Sequence, residues 1–198
     1  MVDNLQARSV LALSDVDGLR TYGDRAILQL TEEPPTGAIV LRLEAKDAQA
    51  LLRAREALSV ALPLTPNSWT AHDDIAVLWQ AYDEWLVLTP DGTQVPVMMQ
   101  LAQALEGLHA AVTDVSDLRA GIAVDGPASR DLLRKGCAVD LHPREFSTGN
   151  LAVTTLARVR VVLRQTSDTP AYQILVERSY AHYLWDWLVD AAGEFTGK

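Results

Sequence analysis

Two stretches late in the chain alternate so strictly that they constrain everything around them. From Arg158 to Arg164, Val159, Val161 and Leu163 face one way while Arg158, Arg160 and Arg164 face the other. From Tyr172 to Arg178, Tyr172, Ile174 and Val176 share a face in the same manner. Gln165-Thr-Ser-Asp-Thr-Pro170 between them is turn-forming, so the pair is expected to close as an antiparallel hairpin. Setting Arg164 opposite Ala171 places Val159 against Val176, Val161 against Ile174, Leu163 against Tyr172 and Arg158 against Glu177. All apolar residues then fall on one side, the consistency that a real register requires. The segment that follows can cover that side. Tyr180, Tyr183, Leu184, Trp187, Leu188 and Ala191 recur at helical spacing, with Ser179 expected as N-cap and Gly193 as the stop.

The rest of the chain reads as the same kinds of element in a similar order. Residues 1–22 lack sustained periodicity and are expected to form an arm, with a turn at Asp15-Val-Asp-Gly18. Ala26–Leu30 and Ala38–Leu43 are strand-like, and Asp47 is placed to cap a helix from Ala48 to Val60, ended by Pro63 and Pro66. Ile75–Trp79 and Trp85–Leu88 are apolar on both faces, the pattern of strands covered on both sides. A helix from Gln94 to His109 carries Val97, Leu101, Ala104, Leu105 and Leu108 as its apolar stripe, followed by strands at Ala111–Val115 and Arg119–Val124. Next comes a short helix with Gly126 expected as N-cap, Pro127 at the first helical position and Gly136 in the left-handed position after its end. In the following loop, Cys137-Ala-Val-Asp-Leu-His-Pro143, the shape depends on Asp140 and His142 finding partners.

Written as elements, Gly37–Val115 is β-α-β-β-α-β and Arg119–Gly193 is β-α-β-β-α. The expected class is α+β, two split units sharing a mixed or antiparallel sheet surface. One compact unit results: an arm and edge strand (1–36), a first half (37–117) and a second half (118–198).

Composition narrows the function. The chain has 198 residues, enough for a substantial core, and a net charge of −9 that disfavours a sequence-independent grip on nucleic acid. A single cysteine, Cys137, excludes an internal disulfide framework and suits a reducing compartment. The N-terminus shows no basic segment leading into a secretory apolar run, and no run reaches the length of a membrane span, so a cytoplasmic protein is expected.

Chemistry-bearing constellations are sparse. His72, His109, His142 and His182 share no metal-ligand spacing, and no glycine-rich phosphate loop or nucleophile elbow occurs, so neither a metal nor a cofactor nor a catalytic residue is expected on this chain. Cys137 follows a helix C-terminus, the wrong end to stabilise a thiolate. Asp140 and His142 are the one local pair capable of acid–base work, and bracing their loop is the reading preferred here. Arg158, Arg160 and Arg164 make either a solvated strand face or a docking face for an acidic partner or anionic ligand, and Arg178 joins them as an interface candidate.

Several of these segments carry a resemblance. Gly126-Pro-Ala128, Lys135-Gly-Cys137, Asp140-Leu-His-Pro143 and Phe146 resemble the gamma subunit of heterotetrameric sarcosine oxidase. So do Leu78-Trp-Gln-Ala-Tyr-Asp-Glu-Trp-Leu86, Val176-Glu-Arg-Ser-Tyr-Ala181 and Trp187-Leu-Val-Asp-Ala-Ala-Gly-Glu-Phe195, in order from about Leu62 to Phe195. The resemblance implies a fold related to the folate-binding region of aminomethyltransferase, the glycine cleavage T protein. It implies a non-catalytic structural subunit with alpha, beta and delta partners, in a complex that oxidatively demethylates sarcosine to glycine with hydrogen peroxide. FAD, FMN, NAD and tetrahydrofolate then belong to the other subunits. The alternative is a free-standing folate-binding, aminomethyltransferase-like domain, against which the short chain and the absence of a recognisable folate site argue.

Overall fold

The computed structural model describes residues 10–11 and 19–196, so the expected turn at Asp15–Gly18 lies outside the described residues. Among the described residues, eleven strands form two wholly antiparallel sheets. The five-stranded sheet comprises β3 (Thr36–Leu43), β4 (Trp69–His72), β5 (Ile75–Ala81), β6 (Glu84–Pro90) and β7 (Ala110–Asp114), ordered β4-β5-β6-β3-β7. The six-stranded sheet comprises β1 (Thr21–Asp24), β2 (Leu28–Glu32), β8 (Arg119–Asp125), β9 (Leu151–Leu156), β10 (Val159–Ser167) and β11 (Ala171–Glu177), ordered β1-β2-β8-β11-β10-β9. The expected α+β class holds, but the single shared sheet surface resolves into two sheets stacked face to face.

Three apolar layers hold the stack together. Ile39, Leu41, Val77, Trp85 and Val87 on the outer face of the five-stranded sheet pack on α1 (Ala48–Leu58) and α2 (Gln94–Ala104). Ile122, Val161, Leu163, Ile174 and Val176 pack on α3 (Ser129–Arg134) and α4 (Ala181–Thr196). Between the sheets lies a thinner layer built on Leu78, Leu86, Leu88, Val162 and Leu175. Adjacent residues of β5 and β6 are therefore buried on opposite faces, as their continuous apolar runs require. Trp85 is fully buried and its indole N–H donates to the Pro63 carbonyl at 2.7 Å.

The β10–β11 hairpin forms, with its apolar face as expected, but two residues out of the expected register. Val161 pairs with Val176, Leu163 with Ile174 and Gln165 with Tyr172, with an irregularity between Gln165 and Ser167. An even shift preserves the faces, which is why alternation could not distinguish the two registers. The shift moves Arg158 off the strand. Ala157 and Arg158 (φ 49° and 72°) make a tight left-handed turn from β9 into β10, so Arg158 neither opposes Glu177 nor shares the face of Arg160 and Arg164.

Helix ends depart from sequence expectation for local reasons. Asp47 does cap α1, its Oδ1 accepting N–H groups of Gln49 and Ala50 at 3.0 Å, but Ser59 in a left-handed conformation ends that helix before the prolines. The helix α2 stops at Ala104, and Gly107 (φ 78°) turns the chain toward β7. Gly126 is a left-handed turn (φ 109°) rather than a cap, and α3 begins at Ser129. Gly136 is not left-handed. A Cβ there would stand 2.6 Å from Trp187 Cη2, so glycine is needed for close approach of α4. Ser179 lies inside a short 3-10 turn, and Gly193 does not stop α4, which runs on to Thr196.

Candidate functional site

The two sheets face each other through residues that alternate with the helix-covered ones. On β8, β11 and β10 the register aligns them in rows. Gly121, Leu175 and Val162 form an apolar middle row, Ala123, Gln173 and Arg164 the row on one side, and Arg119 with Glu177 the row on the other. Arg160 lies one residue beyond the Val161–Val176 pair, beside Glu177. The layer between the sheets is thus apolar at its centre and charged at both ends.

The first polar row is fully connected. Arg164 Nε donates to Gln173 Oε1 at 2.7 Å, Gln173 Nε2 donates to Glu33 Oε2 at 2.6 Å, and the Arg164 guanidinium stacks on Trp69 of the opposite sheet at 4.4 Å. Glu33 reaches Gln173 by passing over Gly121, where a Cβ would collide with its carboxylate. Burial raises the Glu33 carboxyl above its ordinary value, opposed by Gln173 and Arg164. Burial lowers Arg164 to about 10, with Glu33 opposing. At the same corner the sheets are joined by backbone: the Trp69 N–H donates to the Gly149 carbonyl at 3.1 Å and the Leu151 N–H to the Asn67 carbonyl at 2.9 Å.

The second polar row opens into a cavity of about 250 Å³ lined by Arg119, Arg160, Glu84 and Glu177, with Val153, Val162 and Leu175 as its apolar wall. Burial lowers Arg119 below the usual guanidinium range; Glu177 and Glu84 oppose this and Arg160 adds to it. Glu84 is already engaged, its Oε2 3.6 Å from Arg42 Nε. A neighbouring cleft of about 160 Å³ is bordered by Glu33, Thr36, Gln94, Ser116, Arg119 and Arg178.

The residues singled out from sequence are not brought into one site. Asp140 Oδ1 accepts the His142 N–H at 2.9 Å, His142 Nδ1 accepts the Arg144 N–H at 3.2 Å, and the His142 carbonyl accepts from Glu145 and Phe146. These bonds fold the 140–146 loop on itself and anchor buried Leu141 and Phe146. Arg178 pairs with Asp117 at 3.4 Å on the surface, at the edge of the cleft that it shares with Arg119. At Arg164 the other sheet covers the strand face, so a solvated or openly docking position is excluded there, whereas Arg160 is exposed. Glu33, Gln173, Arg119, Glu177 and Trp69 escaped sequence reading because their meeting depends on strand pairing across long stretches of chain and, for Trp69, on the second sheet. The one signal available was a strand with charge at 160 and 164 flanking buried Val162. Cys137 is half-buried and burial raises its thiol, opposed by a backbone hydrogen bond at Val139. Among the described residues there is no cluster of metal-ligating side chains, and no helix is long and apolar enough to cross a membrane.

Two stacked antiparallel sheets with helices on both outer faces define the fold class first. The backbone superposes on glycine cleavage aminomethyltransferase T from Bartonella henselae with a TM-score of 0.63 at 14% identity, covering 83% of this chain and 46% of that one, a likeness of fold. Sequence then specifies the family. The sarcosine oxidase gamma subunit family model matches residues 42–194, and the chain belongs to that family. It is 35% identical over 170 residues to the sarcosine oxidase subunit gamma of Arthrobacter sp., covering 80% of this chain and 82% of the relative. The match to the subunit gamma of Corynebacterium sp. (strain P-1) is 37% over 123 residues, 62% of this chain and 59% of the relative's length. A chain of the heterotetrameric sarcosine oxidase from Corynebacterium sp. U-96, solved in complex with pyrrole 2-carboxylate, superposes with a TM-score of 0.81 at 29% identity, covering 89% of each.

Proposed function

We propose that this chain is a non-catalytic structural gamma subunit of a heterotetrameric sarcosine oxidase. The complex oxidatively demethylates sarcosine to glycine, reduces O2 to hydrogen peroxide and passes the one-carbon unit to tetrahydrofolate. Alpha, beta and delta subunits are the partners, and they carry the FAD, FMN, NAD and tetrahydrofolate chemistry in the cytoplasm. The observation that carries this reading is the family match over residues 42–194, together with backbone likeness over 89% of a chain from such a heterotetramer. The side chains support a structural role. Arg164, Gln173 and Glu33 are engaged with one another across the sheets, and Asp140 and His142 with their own loop. The exposed Arg178–Asp117 pair remains available as part of a subunit interface.

Affinity purification of the tagged chain from its native host in low salt tests the reading. A yellow multisubunit complex producing peroxide on addition of sarcosine is the expected result. A colourless lone protein under the same mild conditions overturns it.

A further inference from the structure

Arg119 and Arg160 project into the cavity between the sheets from β8 and β10, with Glu177 of β11 in the row between them. Among the described residues neither guanidinium is in an ion pair, and Arg119 Nη1 is buried with no hydrogen-bond partner. Buried donors without acceptors are uncommon in native proteins and call for an explanation such as an absent ligand. The cavity, at about 250 Å³, is far larger than the roughly 15 Å³ that a single water needs. Its charged groups are of both signs, and they dominate a lining completed by the Gln80 amide and by Val153, Val162 and Leu175.

We propose that this cavity binds a small zwitterionic amino acid, the carboxylate held between Arg119 and Arg160 and the ammonium by Glu177. A simple anion fits less well, because Glu177 stands between the two cations and repels it. A simple cation meets the two guanidiniums. A zwitterion satisfies all three groups, since guanidinium forks suit a carboxylate and Glu177 is an acceptor without an ion pair among the described residues. Glu84, shared with Arg42, and Gln80 close the opposite wall, and the little apolar surface left suits an amino acid with a minimal side chain. The site is independent of whether the assembled protein oxidises sarcosine.

Equilibrium dialysis of radiolabelled glycine against the protein as it purifies, alone or in its complex, counts sites per chain directly. Arg160→Gln and Glu177→Gln both alter solvent-exposed side chains, so folding is retained and checked by circular dichroism. Each is expected to weaken one glycine site per chain about tenfold or more, with acetate and methylamine competing poorly for it. Loss in both variants separates this site from any other on the assembly. No site that depends on Arg160, equal competition by acetate, or tighter binding in Glu177→Gln overturns the proposal.

Discussion

The guanidinium of Arg164, on the six-stranded sheet, lies 4.4 Å from the ring centroid of Trp69, on the five-stranded sheet. Arg164 also donates to Gln173, whose amide in turn donates to Glu33, so one side chain joins both sheets and the linker between β2 and β3. Beside the thin apolar layer between the sheets, this contact and the backbone bonds Trp69 N–H to Gly149 and Leu151 N–H to Asn67 join them at this corner. Arg164→Met is expected to lower stability by about 1–3 kcal/mol, through the lost stacking and an unpaired Gln173 oxygen. Lysine should restore little, because it lacks the planar fork. Urea unfolding of Arg164→Met, Trp69→Ala and the double variant isolates the coupling; additivity would show that the stacking contributes nothing.

Glu33 makes a pH prediction with a definite sign. Burial places its folded-state pKa above the ordinary value of 4.5. The folded protein therefore binds this proton more tightly than the unfolded chain does. That contribution is present below the ordinary value and is lost as pH rises through the raised one. Glu33→Gln cannot titrate, so its stability relative to the parent should improve as pH rises from the ordinary value of 4.5 through the raised one. Denaturant midpoints of both proteins at each pH measure the difference, and a constant or opposite difference would refute the assignment.

Gly136 tests the seat of the C-terminal helix. A Cβ added there meets Trp187 Cη2 at 2.6 Å and Cζ2 at 2.8 Å, with the Ala157 backbone nitrogen at 3.2 Å. Gly136→Ala should cost about 1–3 kcal/mol by overpacking. Because the principal clash is with the indole, Trp187→Phe should recover part of that loss. No recovery in the double variant would place the cost in the backbone instead.

Cys137 should behave as a slow thiol. Burial raises its pKa above the ordinary 9.0, and it does not sit at a helix N-terminus that would oppose this. Labelling by an aromatic disulfide reagent is expected to be slower than for free cysteine at every pH below that value and to keep rising beyond it. A plateau near neutral pH would reveal a stabilised thiolate and reopen a chemical role.

Much of this architecture was legible in the residues themselves. Asp47 was recognisable as a cap because the cap bond is made within its own turn. The doubly apolar runs of β5 and β6 announced strands covered on both faces, and the alternation of β10 and β11 announced a hairpin with the correct buried side. Asp140 and His142 could be marked as shaping their loop because their partners lie within a few residues. Short strands such as β4 and β9 were not seen. Four to six residues of mixed character carry little periodic signal, and pairing with distant neighbours decides their state.

Sequence alone determined the types of the longer elements, the inward faces of the long strands and the family, since these rest on spacing and on residues read in order. Tertiary structure decided what the outward faces meet. Whether Arg164 is solvated or stacked depends on Trp69, which lies far away along the chain. Whether Gly136 ends a helix or admits an indole depends on Trp187. Alternation records that a strand has two faces, but the covering of the second is set by packing between segments that share no local pattern.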